Sequence, residues 1–340
     1  MNVSALPTGQ RWRFPPPIGL GAMAAWLLFA FVLAQSAGRV EIGRMLALSG
    51  EAVQAAVGLR ADSQVGRGLG VIIGSMFPIQ LEDRTDVRAI PGFDPAAFSS
   101  NLPWRARIET EQVSETRVDP QTLEVRTVTT TTQVLVRPFG YALHVLAKLV
   151  ETVEIALWGT VIAVILSLPL AVASARPYAP HGAIYVLART VVGALRSVPE
   201  MVSALFLVLA YGFGPIAGVL ALALHSAGFL GKFYAEDIEN ADPKAQEALT
   251  AIGAGRMKVL RFAVLPEVWP QYIAYTFYVL DRNVRMATVI GIVGAGGIGQ
   301  ELKGRFDMFN YAHVGTILLA ILLLVLLLDQ LSARLRRSAL

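Results

Sequence analysis

Charged residues stand in largely apolar stretches at Glu200 after Pro199, and at Arg282 and Arg285 in "YVLDRNVRMATVIG". The two arginines are three apart and so occupy neighbouring positions on a helix. An arginine at the centre of a membrane-crossing helix costs about 2.5–3.5 kcal/mol on insertion scales, which makes such a charge a candidate functional group. The chemistry it offers is electrostatic, because fixed positive charge compensates an anion crossing a low-dielectric region. Glu200 is the natural counter-charge: a lone buried carboxylate takes up a proton, whereas one facing an arginine stays ionised. Ser197 and Asn283 add neutral hydrogen-bonding groups to this candidate pathway. Two plainer readings stay open, that the arginines snorkel from a helix end or that Arg285 pairs with Asp281 four residues earlier. Glu151 and Glu154 are read as a solvated face at the outer end of another apolar segment.

Other chemistries are excluded or weakened. The chain has no cysteine, so disulfides, thiolate catalysis and cysteine-ligated zinc are ruled out. His144, His181, His225 and His313 are scattered without metal-ligand spacing, and no metal site is expected. His225, in an apolar run, reads as a packed or hydrogen-bonded helix residue. No G-x-x-x-x-G-K-[ST] sequence occurs, so this chain has no phosphate-binding loop of the ATPase kind. Gly294, Gly296 and Gly299, with Gly297 between them, match G-x-G-x-x-G. A dinucleotide site needs a βαβ unit and an acidic residue about 20 positions on. Here the glycines lead into a single apolar run over 314–328. They are read as a flexible or closely packed outer end of a span.

These residues must be positioned by membrane elements. Of the 340 residues, 54% are hydrophobic and only 16% charged, against about a quarter charged in a typical soluble domain. The net charge of +4 comes from basic residues that flank apolar segments, as a positive-inside bias requires, and not from a stripe that would fit nucleic acid. Segments of about 20 apolar residues are expected at 18–37, 154–175, 184–211, 215–230, 273–293 and 314–331. The first is read as a retained anchor, since its apolar run exceeds a signal-peptide core. Arg11 and Arg13 at one end, and Arg334, Arg336 and Arg337 at the other, place both termini in the cytoplasm. Lys232, Lys244, Arg256, Lys258 and Arg261 fall on the same side; Lys303 and Arg305 are exceptions.

The organisation is therefore an N-terminal tail and first span over 1–37, an extracytoplasmic segment over 38–141 and a helical core over 142–336. Within the outer segment, the apolar stretch 68–80 is too short to cross and is expected at the interface. Residues 105–136 alternate with period two and break at Asp119-Pro120-Gln121, which predicts a β-hairpin. In the core, a polar stretch at 235–266 interrupts the apolar pattern. "NADPKAQEALTAIGAG" places Asp242 as a helix cap, Pro243 in the first turn and Gly253 at a helix end. "RMKVLRFAVL" comes next as a second short helix, which Pro266 is expected to limit. Two amphipathic helices meeting at a glycine make a knob suited to a partner's groove.

Glu247-Ala248, Gly253 six residues after the glutamate, and Leu265-Pro266 resemble the EAA loop of binding-protein-dependent ABC-transporter permeases. The second alanine of that motif is Leu249 here, and its usual isoleucine is Ala263. Together with "RSVPEMVSALF" at 196–206, "GPIAGVLALALHSAGFLGKFYAEDIE" at 214–239 and "DRNVRMATVIGIVGAGGIG" at 281–299, the stretch 151–336 is similar to the permeases of phosphonate importers.

That resemblance implies an all-α bacterial inner-membrane subunit of type I importer architecture, without catalytic residues or a cofactor of its own. Its implied cargo is a phosphonate, with phosphite or a phosphate ester as the alternative. The implied partners are a second copy of the chain, two cytoplasmic ATPase subunits that bind ATP and Mg, an extracytoplasmic substrate-binding protein and membrane lipid. Glu247, Ala248, Gly253, Leu265 and Pro266 would couple to the ATPase. A channel or secondary transporter is the rival reading, and such a protein has no need of the knob. The 105–136 segment has no counterpart in the resemblance.

Overall fold

The computed structural model describes residues 20–90, 105–118 and 125–339, in two units, Met1–Gly74 and Ser75–Leu340. The first unit holds α1 (Leu20–Arg39) and α2 (Ile42–Ala56), bent by 65° across a short link. Trp26, Leu27, Leu28 and Phe31 remain exposed on α1, as expected of a surface meant for lipid and not for water. α3 (Gln64–Met76) is the short apolar helix of the stretch expected at the interface.

The second unit opens with a three-stranded antiparallel sheet of β1 (Asp83–Asp86), β2 (Arg107–Val118) and β3 (Val125–Arg137) in the order β1-β3-β2. β2 and β3 pair from Arg107 opposite Val136 to Val118 opposite Val125. Thr132, Val134 and Val136 are buried on one face of β3, and Leu135 on the other face is buried as well. The predicted turn at Asp119-Pro120-Gln121 lies outside the described residues.

The helices come next: α4 (Gly140–Ser174), α5 (Gly182–Ser197), α6 (Glu200–Tyr211), α7 (Pro215–Asn240), α8 (Pro243–Ala251), α9 (Arg256–Val259), α10 (Leu265–Gly291), α11 (Gly297–Asp307) and α12 (Tyr311–Ala339). α7 is the central helix, and small residues recur along its buried face: Ala217, Ala221, Ala227, Gly228 and Gly231. Without a hydrophobic driving force between helices in lipid, close backbone approach is what packs them. At Gly228 a Cβ would stand 2.8 Å from the Arg196 backbone nitrogen and 3.0 Å from the Val192 carbonyl, so α5 crosses α7 where only glycine fits. Ala163, Leu230, Tyr234, Ile238, Val264 and Tyr272 form one buried cluster between α4, α7 and the start of α10. Ile155, Ala204, Ala221, Leu222, Val284 and Ile290 form another nearer the opposite end.

Among the described residues, α4, α7 and Tyr311–Gln330 of α12 are long and apolar enough to cross a membrane, and counting each bent pair as one span raises the number to five. By this measure the described residues reach five at most, one fewer than the six spans expected on sequence. α10, where the span at 273–293 was expected, falls short of the same criterion because it carries Asp281, Arg282, Asn283 and Arg285. The expected span at 184–211 is two helices meeting at 90°. Pro199 causes the break: it disfavours helical backbone at Val198, which is extended (φ −80°, ψ 122°), and α6 then starts afresh.

Pro266 also acts differently from the expectation. It does not end the helix: it stands at the start of α10, straight after a π-helical turn. α9 runs through a π-helical turn at Leu260–Val264 directly into α10.

Candidate functional site

The break before α6 places Glu200 in the first turn of a helix, where the helix dipole favours a carboxylate. From α10, Arg282 donates its Nη2 proton to Glu200 Oε1. From α7, His225 Nε2 stands 3.1 Å from the same oxygen. His225 Nδ1 is 3.1 Å from the carbonyl of Val198, and the Arg282 guanidinium lies 4.6 Å from the centre of the Phe229 ring in a cation–π contact. The side chains of Arg282, Glu200 and His225 are 18%, 14% and 8% exposed, so this cation, carboxylate and imidazole are held together with little water.

A carbonyl only accepts, so His225 Nδ1 carries the hydrogen in its contact with Val198. Nε2 is then the ring atom that faces Glu200. Arg282 and Glu200 cancel in charge, and the imidazole adds charge to the set only when it is protonated.

Arg285 is placed differently. It donates to Asp281 at 2.8 Å and to Asp329 of α12 at 3.2 Å, with its side chain 44% exposed. Two carboxylates offset it, and it ties α10 to α12. The i,i+4 pairing left open on sequence is the one the fold adopts, with Asp329 added. Asn283 is enclosed: Ser226 donates to its Oδ1 at 2.9 Å, and its Nδ2 donates to Thr160 at 2.9 Å, all three buried. It joins α4, α7 and α10 and offers nothing to an ion in this conformation. Ser197 caps back onto the Ala194 carbonyl at 2.9 Å on an exposed turn.

The glycine run is packed and not loose. Gly294, Gly296 and Gly297 adopt φ of 96°, 84° and 69°, which L side chains rarely take. A Cβ on Gly297 would meet Thr152 Oγ1 at 2.6 Å. Glu151, read as solvated on sequence, accepts from the Gly297 N–H at 3.0 Å, while Thr152 Oγ1 accepts from Ile298 N–H at 2.8 Å. Two acceptors from α4 thus satisfy orphan donors at the start of α11. Further along α11, Glu301 accepts from Arg305 at 2.8 Å and faces His144 at 3.3 Å. Burial pushes the Glu301 carboxyl up, and the hydrogen bonds and positive charge of Arg305 and His144 more than reverse it, holding it below the ordinary value.

At the polar interruption, Asp242 Oδ1 accepts from Lys244 N–H at 3.0 Å, and Gly253 turns the chain with φ 88°. Tyr178 anchors the hairpin by donating to Gln246 at 2.8 Å, and burial pushes its phenol up. Glu247 and Ala248 are exposed on α8, which has no buried residue, and Ile252, Met257 and Phe262 are 80%, 67% and 64% exposed. Leu265 and Pro266 begin α10 at the base of the hairpin.

Sequence reading missed His225 and Asp329 as partners. His225 carried a signal, since an ionisable side chain within a membrane segment is a functional candidate by default. Asp329 is near the end of a long apolar run and gave no hint of facing Arg285.

Comparisons with known proteins identify the family of the chain. The profile of a family described as "Binding-protein-dependent transport system inner membrane component" matches residues 163–339. A provisionally named phosphite transport system permease protein of Stutzerimonas stutzeri is 53% identical over 261 residues, covering 77% of this chain and 98% of that protein. A phosphite transport system permease protein of the same organism is 48% identical over 189 residues, 56% of this chain and 69% of that one. A phosphate-import permease protein of Mycolicibacterium smegmatis is 40% identical over 186 residues, 55% of this chain and 35% of that one. In fold, the chain is similar to a solved amino acid ABC transporter with histidines at TM-score 0.50 and 17% identity, covering 58% of this chain and 95% of that one.

Proposed function

The chain belongs to the binding-protein-dependent transport system inner membrane components, and from that membership we infer how its side chains serve transport. It is the permease subunit of an ABC importer for phosphite, phosphonate or phosphate. Phosphite is the first cargo to test, because the two relatives at 53% and 48% identity bear that name.

The path for the anion runs past Arg282, Glu200 and His225. The observation that supports it is a guanidinium only 18% exposed, whose carboxylate partner is shared with a histidine. A second copy across a two-fold axis would double the cluster. The carboxylate keeps the charge low enough for release, because a transit site must also let go. The exposed hairpin, with Glu247, Ala248, Gly253 and the apolar Ile252 and Met257, docks into an ATPase subunit that binds ATP and Mg. Closure of two ATPases draws the hairpins together and switches the bundle between inward- and outward-facing forms. A binding protein delivers the anion from the outside, and both termini face the cytoplasm. A cysteine placed at Thr130 should then react with an impermeant maleimide in cells whose inner membrane is intact, and reaction only after lysis would reverse the orientation.

The test of the whole reading is uptake by the reconstituted complex. With binding protein and ATP, vesicles should accumulate labelled phosphite, phosphonate or phosphate, and omission of either component should stop it. Accumulation that continues without ATP would instead establish a channel or secondary transporter.

A further inference from the structure

At the end of the bundle that bears the hairpin, α4, α5 and α7 line a pocket of about 140 Å³ that opens to the outside along its three cations. A water takes about 30 Å³ of liquid volume, so the space suits a few waters or one small tetrahedral anion. Its charged lining is entirely basic: Arg189 and Arg196 from α5, and Lys232 from α7. Ser174, the last residue of α4, also lines it. That residue is 1% exposed, and its Oγ is buried without a hydrogen-bond partner. A buried hydroxyl with nothing to bind is costly and asks for a ligand.

The cations are not equivalent. Arg189 is held rigidly: Nε donates to the Ser174 carbonyl at 3.2 Å, Nη2 to Glu239 at 2.8 Å, and the guanidinium lies 5.1 Å from the Tyr185 ring centre. Lys232 pairs with Glu236 at 3.4 Å. Arg196 makes no ion pair among the described residues. The two carboxylates leave one of three positive charges uncompensated, beside a hydroxyl free to donate.

We propose that this cavity binds a phosphate-class group, tetrahedral and anionic, between Arg196, Arg189, Lys232 and the Ser174 hydroxyl. Its lining shares no residue with the Arg282, Glu200 and His225 cluster, although Arg196 is near enough to His225 to act on it electrostatically. Two sources share this chemistry, the headgroup of an acidic phospholipid and a free phosphorus oxyanion. The position has a consequence for coupling. Glu239 accepts from the Arg176 N–H at 2.8 Å as well as from Arg189, so it pins the α4–α5 link and α5 to the last turn of α7, next to the hairpin. An anion on Arg189 competes with that clamp.

The test uses the permease with its ATPase subunits in phosphatidylcholine nanodiscs, the nucleotide sites filled with a non-hydrolysable ATP analogue. Inorganic phosphate is titrated against chloride of matched ionic strength while thermal unfolding is followed. Phosphate should raise the unfolding temperature saturably. Arg196→Gln and Ser174→Ala should each weaken the apparent affinity about tenfold, the scale of one hydrogen bond to a charged group. Arg196→Lys should recover most of it. Ser174→Ala should also stabilise the anion-free protein by removing the orphaned hydroxyl, an opposite sign that a merely structural serine would not give. Repeating the titration with Arg282→Gln removes the proposed transport path from the response, so the two readings fail separately. In phosphatidylglycerol nanodiscs, loss of the phosphate response, with Arg196→Gln now lowering stability by itself, identifies a lipid headgroup. A response equal in both lipids identifies the free anion. Equal responses in parent, Arg196→Gln and Ser174→Ala proteins in both lipids would overturn the site.

Discussion

His225 Nε2 and Glu200 Oε1 face each other at 3.1 Å while His225 Nδ1 is committed to the Val198 carbonyl. Arg282 and Glu200 cancel in charge, so a proton taken up by the imidazole would make the set singly positive and its loss would make it neutral. On the proposed path, an anion would meet attraction in the first state and little in the second.

His225→Phe keeps the ring's bulk and removes its titratable nitrogens, leaving Glu200 to neutralise Arg282. Phosphite uptake should fall about tenfold, which corresponds to ~1.4 kcal/mol on the limiting barrier, with binding-protein docking intact. Its dependence on pH between about 5 and 8, where histidine ordinarily titrates, should flatten. Parental uptake with an unchanged pH profile would make His225 a packing residue only.

Arg282 and Arg285 should separate sharply. Arg282→Gln strands Glu200, and removing one partner of a buried pair costs about 3–5 kcal/mol. Both stability and uptake should drop, and the Arg282→Gln/Glu200→Gln double variant should regain stability but not uptake. Arg285→Gln, at an exposed contact, should cost no more than about 1 kcal/mol and leave uptake near parental. If Arg282→Gln transports normally, the path lies elsewhere.

Gly253→Val places a β-branched residue at φ 88°, a strain of about 1–2 kcal/mol. The exposed hairpin should deform while the bundle still inserts. ATP hydrolysis stimulated by the loaded binding protein should disappear, with the purified permease retaining its thermal stability. Stimulation at the parental level would argue against docking through this turn.

Glu301 gives a pH prediction of definite sign. Its carboxyl is held below the ordinary 4.5 in the folded state, where Arg305 and His144 outweigh burial. A depressed carboxyl contributes stability that is present above the unfolded value and lost as pH falls through the folded one. Unfolding temperature should therefore fall on acidification from about 5 towards 3, within the carboxylate range. Glu301→Gln should show a shallower fall over the same window. Identical pH profiles for the two proteins would mean that the Arg305 contact contributes nothing.

Much of this protein was legible in the chain because the relevant physics is local. Composition alone required a membrane protein. The Asp242-Pro243 start and Gly253 end of α8 arise from capping and from glycine's access to positive φ, both properties of a few adjacent residues. The period-two alternation of 105–136 likewise announced β2 and β3 before any pairing was known. Glu200 was named as the partner of an arginine because an unpaired buried carboxylate is untenable. Which arginine it faces was not decidable.

What only the tertiary structure decided depends on groups brought together from distant parts of the chain. Pro199 could kink a span or break it; the fold shows a 90° bend that sets Glu200 at a helix start, with α5 crossing α7 at Gly228 just before it. Arg285 acquired Asp329 from 44 residues away, and Asn283 acquired Thr160 and Ser226, so both were taken up by helix packing. The glycine run changed from an ambiguous motif into a tight turn once Glu151 and Thr152 arrived from α4 to bind its N–H groups. The sequence thus determined which residues are too polar for a membrane to leave alone. The fold determined their partners, because desolvation demands compensation but does not say from which helix it comes.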